Sequence, residues 1–205
     1  MSSKPTVFAV EDDDALRDAL GELLRAEGYD VRCFASAEEF LAAEPDGAAA
    51  CAILDIHLPG MSGLDLQTVL RDSGATIPVI VLTAAGDVPK AVRALKAGAV
   101  DFIEKPFHAD ALMTAVAEAV ASRGGSPVAR LADEDFPARV AQLTAREKEV
   151  MDLIVAGDPN KVVAAKMRIS VRTVENHRAK VMEKMRSPNL SLLIHMILRN
   201  TANRH

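Results

Sequence analysis

The sequence contains no tryptophan and one tyrosine, and aromatic residues make up 3% of it. Nothing therefore suggests an aromatic stacking platform for single-stranded nucleic acid or carbohydrate, while double-stranded DNA stays open. Cysteine is nearly missing too. Cys33 and Cys51 each lie in an apolar, strand-like stretch without CxxC or Cys/His metal spacing, so both read as buried reduced thiols. No 18-residue apolar run occurs, and the opening MSSKPT lacks a basic region followed by an apolar core. No membrane span or secretory leader is expected, and the expectation is a soluble cytoplasmic protein.

What is present is an uneven charge. The net charge of −5 combines 10 Lys/Arg against 20 Asp/Glu in residues 1–124 with 13 against 6 in residues 138–205. An acidic half and a basic half suggest a cation site in the first and a polyanion partner for the second. At 205 residues with 49% hydrophobic composition, the chain is expected to hold two small domains with ordinary cores.

Residues 1–122 alternate in type. Strands are expected at 6–11, 31–35, 50–55, 78–83 and 100–104, and helices at 14–27, 37–44, 64–73, 88–97 and 109–122. The strand runs are short, unbroken and rich in Val, Ile, Leu and Ala, as in strands covered on both faces, so the fold class is α/β with a five-stranded parallel, doubly wound sheet. Gly28, Gly74 and Gly98 punctuate helix ends. Residues 123–139 read as a linker, because SRGGSPVARLADEDF loses both periodicities. Residues 140–205 read as an all-α domain of four helices.

Four strands end on polar residues: Glu11 and Asp12 after TVFAV, Asp55 after ACAIL, Thr83 after PVIVL, and Lys105 after VDFIE. Carboxyl ends of parallel strands converge on the ligand crevice of such a sheet. Three carboxylates together repel one another, and a hard divalent cation with oxygen ligands resolves this; an open set retaining waters suits Mg2+. Asp55 closes a central strand before the loop DIHLPGMSG and is the expected nucleophile. An acyl phosphate formed on it would need the cation of Lys105 and the hydroxyl of Thr83, and the backbone carbonyl of His57 could complete the metal shell. Taken singly, each residue has a plain reading as a loop start, a β-former or a surface lysine. The joint pattern, with Lys105-Pro106 as a candidate cis bond, is far more specific.

These segments, VEDDDALR, DIHLPGMSG, TAAGD and EKPF, resemble the receiver domain of bacterial two-component response regulators, over residues 5–122. The resemblance implies a flavodoxin-like fold and phosphoryl transfer to Asp55 from a sensor histidine kinase, with Mg2+ held by Glu11, Asp12 and Asp55. It also implies a switch in which Thr83 turns toward the phosphoryl group and Phe102 rotates into the vacated space; a plain core role for Phe102 stands beside it. The dimerisation surface it implies is the face of helix 88–97 and strand 100–104. Glu11 departs from the commoner aspartate at its position.

The second half is helical throughout. Thr144 and Glu147 form a capping box, followed by a stripe of Val150, Met151, Ile154 and Val155 ending at Gly157. Further helices are expected at 159–167, 171–185 and 190–200. The middle pair reads as helix, turn, helix, with Ser170 as N-cap and Val171, Val174, Val181 and Met185 as the packed stripe. The outward residues include Arg172, Glu175, Asn176, Arg178, Ala179, Lys180 and Lys184. A solvated charged face is the commoner reading of one basic helix. Here LTAREKEV, NK at 160–161, IS at 169–170, RTVENH at 172–177 and KM at 184–185 resemble the LuxR-type helix-turn-helix domain of the NarL/FixJ subfamily.

That second resemblance implies base reading by Glu175, Asn176 and Ala179, and backbone contacts by Lys161, Arg172, Thr173, Arg178, Lys180 and Lys184. Together the halves read as a regulator, not an enzyme: phosphorylation of Asp55 promotes a homodimer that binds promoter DNA and acts on RNA polymerase. Two alternatives stay open: a Mg2+-dependent phosphohydrolase with an aspartyl-phosphate intermediate, and a regulator active without phosphorylation.

Overall fold

The computed structural model describes residues 4–43, 49–84, 87–122 and 135–202. Five parallel strands, β1 (Thr6–Val10), β2 (Asp30–Phe34), β3 (Cys51–Asp55), β4 (Val79–Ala84) and β5 (Asp101–Lys105), form one sheet in the order β2-β1-β3-β4-β5. Between and after them come α1 (Asp14–Ala26), α2 (Ala37–Ala42), α3 (Gly63–Asp72), α4 (Val88–Lys96) and α5 (Ala109–Ser122). Every expected strand and helix of the first half is present, each end within two residues of its sequence reading. The order reverses between β1 and β3, which is where such a sheet opens its ligand crevice.

The two faces of the sheet bury different side chains. On one, Val7, Ile53, Ile80, Leu82 and Ile103 pack with Leu20 and Leu24 of α1 and Leu112 and Val116 of α5. On the other, Phe8 meets Phe34 and Phe40 edge to face, with centroids 6.0 and 5.5 Å away. The side-chain period of two sorts the strand residues between these layers, so the unbroken apolar strand runs follow from burial on both sides.

The second compact unit is helical. α7 (Ala145–Ala156), α8 (Asn160–Met167), α9 (Val171–Met185) and α10 (Leu190–Ala202) lie where the sequence places helices. The capping box of Thr144 and Glu147 forms, Ser170 caps α9 by accepting the Thr173 N–H, and Gly157 ends α7 at φ 103°, a conformation that favours glycine. Two expectations are corrected. A short helix, α6 (Phe136–Ala141), occupies the end of the stretch read as linker, because Phe136 is buried against Met151, Val181 and Met185; with it, the described residues from 135 onward hold five helices. Val171 is 37% exposed and is not part of the packed stripe, since it starts the first turn of α9 beyond the reach of the core. Positions 123–134 of the linker and 85–86 of the TAAGD loop lie outside the described residues.

Candidate functional site

β1 and β3 run in register, with Val10 beside Leu54, so Glu11 and Asp55 leave the sheet side by side. Asp55 pairs with Leu82 of β4, and Ala84 with Lys105 of β5, which sets Lys105 two strands from Asp55. The lysine stem spans that gap. Its Nζ donates to Asp55 Oδ2 and to Glu11 Oε2, both at 2.7 Å. Glu11 and Asp55 are 1% and 4% exposed, whereas Asp12 is open to solvent. One oxygen from each of the three carboxylates lies within 4.8 Å of the others.

The electrostatics follow from this crowding. Burial raises the Glu11 carboxyl above its usual range, the Lys105 hydrogen bond opposes the rise, and repulsion from Asp55 adds to it. Burial pulls the Lys105 ammonium down, but its bonds to Asp55 and Glu11 outweigh that together and leave it above its ordinary value. The ammonium therefore neutralises a carboxylate cluster that offers only oxygen ligands, without thiolate or imidazole. A hard divalent cation fits that donor set, and Glu11, Asp12 and Asp55 would hold it.

Backbone contacts fix the carboxylates. The His57 N–H donates to Asp55 Oδ1 at 3.2 Å. Gly63, at the start of α3, lies so close to the Asp55 carbonyl that a Cβ there would be 2.0 Å from the oxygen. Arg17 donates to the carbonyls of Glu11 and Asp12 at 2.9 and 3.3 Å and pairs with Asp14, so α1 grips the loop that carries the acids. The roles of Arg17 and Gly63 at the site are not evident from residue type; the one signal is their spacing, five residues after Asp12 and eight after Asp55.

Thr83 is fully buried, and its hydroxyl donates to the Ala84 carbonyl at 3.5 Å, too long to hold it. It pairs with Glu104, and Val81 with Phe102, so Thr83 and half-buried Phe102 share one pleat face while Asp55 and Lys105 belong to the other. The structure thus joins Glu11, Asp12, Asp55 and Lys105 in one cluster and sets Thr83 beside it. The Lys105-Pro106 peptide is cis.

In the helical unit, α9 buries Val174, Val181 and Met185 and leaves Arg172, Glu175, Asn176, Ala179 and Lys180 exposed on one side; Lys161 is exposed on α8. Thr173 is half-buried, with its hydroxyl 2.7 Å from that of Ser170. Two residues expected to face outward are engaged inside the unit. Arg178 donates to Asn160 Oδ1 at 3.0 Å, and Lys184 donates to Glu147 Oε2 at 2.6 Å. Each neutralises or satisfies a neighbouring helix, which the heptad-like spacing of α9 does not reveal.

Comparison with known proteins matches residues 7–117 to the response regulator receiver domain and residues 141–197 to the bacterial regulatory proteins of the luxR family. The chain is 44% identical over 197 residues to the transcriptional regulatory protein FixJ of Rhizobium meliloti, covering 94% of this chain and 95% of that one. It is 38% identical to FixJ of Bradyrhizobium diazoefficiens, over 97% of both.

The chain belongs to the NarL/FixJ family of response regulators. The crystal structure of full-length FixJ from B. japonicum superposes with a TM-score of 0.57 at 38% identity, covering 97% of this chain and 98% of that one. As a response regulator of this type, the protein is a phosphorylation-dependent transcriptional regulator, with a sensor kinase and DNA as partners. The carboxylate cluster belongs to its receiver and α9 to its luxR-type domain. No described helix is long and apolar enough to cross a membrane.

Proposed function

We propose that Asp55 accepts a phosphoryl group from a phosphohistidine of the sensor kinase and that this phosphorylation switches DNA binding in α9. An Asp55 carboxylate oxygen attacks phosphorus, the P–N bond breaks, and the imidazole leaves with the electron pair and takes up a proton. Mg2+, held by Glu11, Asp12, Asp55 and the His57 carbonyl, would supply positive charge against the phosphoryl oxygens. The observation that carries this reading is the Lys105 ammonium set 2.7 Å from both buried carboxylates, a cation already placed where added negative charge will develop.

Thr83 stands at the adjacent strand end, with a hydroxyl only weakly engaged, so turning it toward the phosphoryl group costs little. Phe102, on the same pleat face two residues back in the register, takes the space it leaves. The changed surface on α4 and β5 then favours a homodimer, a population shift of the kind a covalent phosphoryl group produces. The dimer presents two α9 helices to promoter half-sites in the cytoplasm and acts on RNA polymerase. Glu175, Asn176 and Ala179 read base edges; Arg172, Lys180, Lys161 and Thr173 hold phosphates.

The test is labelling of the full-length chain by a small phosphodonor in the presence of Mg2+. A hydroxylamine-sensitive, acid-stable label that disappears in Asp55→Asn is expected, with tighter DNA binding by the labelled protein. Label retained in Asp55→Asn overturns the acceptor assignment, and DNA affinity indifferent to labelling overturns the switch.

A further inference from the structure

The C-terminal half of α9 is held by charged side chains that lie off its DNA-reading side. Arg139 of α6 donates from Nη1 to the Met185 carbonyl at 3.1 Å. Met185 is the last residue of α9, and Arg186 ends the helix at φ 54°, so this carbonyl is one of those left without an intrahelical partner. A guanidinium there also meets the negative end of the helix dipole. Lys184 turns to Glu147 Oε2 at 2.6 Å, and the same oxygen accepts the Thr144 N–H at 2.8 Å. The Glu147 and Lys184 side chains are 4% and 30% exposed.

Apolar packing joins these three helices and α10: Phe136 of α6 and Met151 of α7 cluster with Val181 and Met185 of α9 and with Leu193 and Met196 of α10. Such contacts are non-directional and tolerate a small tilt of α9. Directional bonds do not. Asn176 stands nine residues before Met185, about 13 Å along the axis, so a tilt of about 10° at the C-terminus displaces it by about 2 Å. Hydrogen bonds to base edges tolerate only tenths of an ångström. All of α6 except its last residue, Ala141, also lies upstream of residues 141–197, the part matched to the luxR family.

We propose that Arg139 and the Glu147–Lys184 pair are positioning residues that fix the angle at which α9 presents Glu175, Asn176 and Ala179 to bases, without touching DNA themselves. The inference rests on α9 being the DNA-reading helix. It makes the six residues of α6 part of the recognition machinery, and it removes Lys184 from the phosphate contacts.

The test uses the full-length chain, a duplex enriched by the wild type from a randomised pool, and an unselected random-sequence duplex, with affinities measured from low to high salt. Arg139→Gln and Lys184→Gln are each expected to weaken binding to the enriched duplex about tenfold at every salt concentration, with the slope of log affinity against log salt unchanged. Binding to the random duplex stays near wild type. Glu147→Gln combined with Lys184→Gln is expected to be no weaker than Lys184→Gln alone. Arg172→Ala, a phosphate contact, serves as comparator and lowers the slope by about one. A slope lowered by about one in Arg139→Gln or Lys184→Gln overturns the proposal, as does unchanged affinity for the enriched duplex. Should Arg139→Gln lose helical content by circular dichroism, Arg139→Lys, which keeps the cation at the helix end, is expected to bind within about threefold of wild type; a tenfold loss in folded Arg139→Lys overturns it. Failure of the wild type to enrich any duplex overturns the assignment of α9 itself, a different result from either.

Discussion

Lys105 and Asp55, fifty positions apart in the chain, meet at 2.7 Å, and the same ammonium lies 2.7 Å from Glu11. One cation serves two buried anions. The receiver therefore holds its charge balance in a form that a divalent cation or a phosphoryl group must disturb.

Replacing Lys105 with Ala leaves Glu11 and Asp55 without their shared cation. The expected cost is about 2–3 kcal/mol of stability without divalent cation, because uncompensated buried charge is the dominant penalty. Mg2+ should then raise the stability of Lys105→Ala by more than that of the wild type, as read from urea unfolding with and without the ion. Equal responses of the two proteins would show that ammonium and metal do not share the carboxylates.

At Gly63 a methyl group would come within 2.0 Å of the Asp55 carbonyl oxygen, and the obstacle is backbone. Gly63→Ala should cost about 1–3 kcal/mol and displace Asp55, lowering its rate of phosphoryl acceptance at least about tenfold. The rate of label incorporation from a phosphodonor, compared with the unfolding midpoint, checks both parts.

Hydrogen bonding from Lys184 and from the Thr144 N–H holds Glu147 at a pKa of about 2, below its ordinary 4.5. A carboxyl depressed on folding contributes stability that is fully present above about pH 4.5 and is lost as pH falls toward 2. Glu147→Gln should lower the stability of the helical unit at pH 7 by on the order of 2 kcal/mol, allowing for the partial exposure of Lys184. The loss should shrink between pH 4.5 and 2, where the wild type loses the same interaction. Chemical unfolding followed by helical circular dichroism at pH 7 and pH 3 measures it; a penalty as large at pH 3 as at pH 7 contradicts the cause.

On α9, Asn176→Ala should relax preference at one base step by about 1–3 kcal/mol while leaving salt dependence intact. Arg178→Ala should act through helix packing, since its guanidinium is bonded to Asn160, and therefore leave the salt slope unchanged. Binding-site selection with each variant, followed by salt titration on the enriched duplex, separates the two.

Much of the fold is legible in the sequence. The apolar strand runs, the capping box at Thr144 and the N-cap at Ser170 depend on neighbours a few residues away, and local physics reads directly from local sequence. α6 was not legible, because FPARVA is too short to show a period and is helical on account of where Phe136 is buried. At the site, Glu11, Asp12, Asp55 and Lys105 were found by their place at strand ends. The roles of Arg17 and Gly63 were not legible, since a grip on backbone carbonyls and a close approach to one leave no mark in side-chain chemistry.

The sequence by itself determined the alternation of strand and helix, the acids at neighbouring strand ends and the helix-turn-helix pattern, because periodicity, caps and turns are short-range. Only the tertiary structure decided what each cation engages: Lys105 the carboxylates of Glu11 and Asp55, Lys184 that of Glu147, Arg178 the Asn160 amide oxygen, Arg139 the last carbonyl of α9. An ion pair depends on distance in space. Residues 94 apart in the chain reach 2.7 Å only after the sheet has set their strands in register.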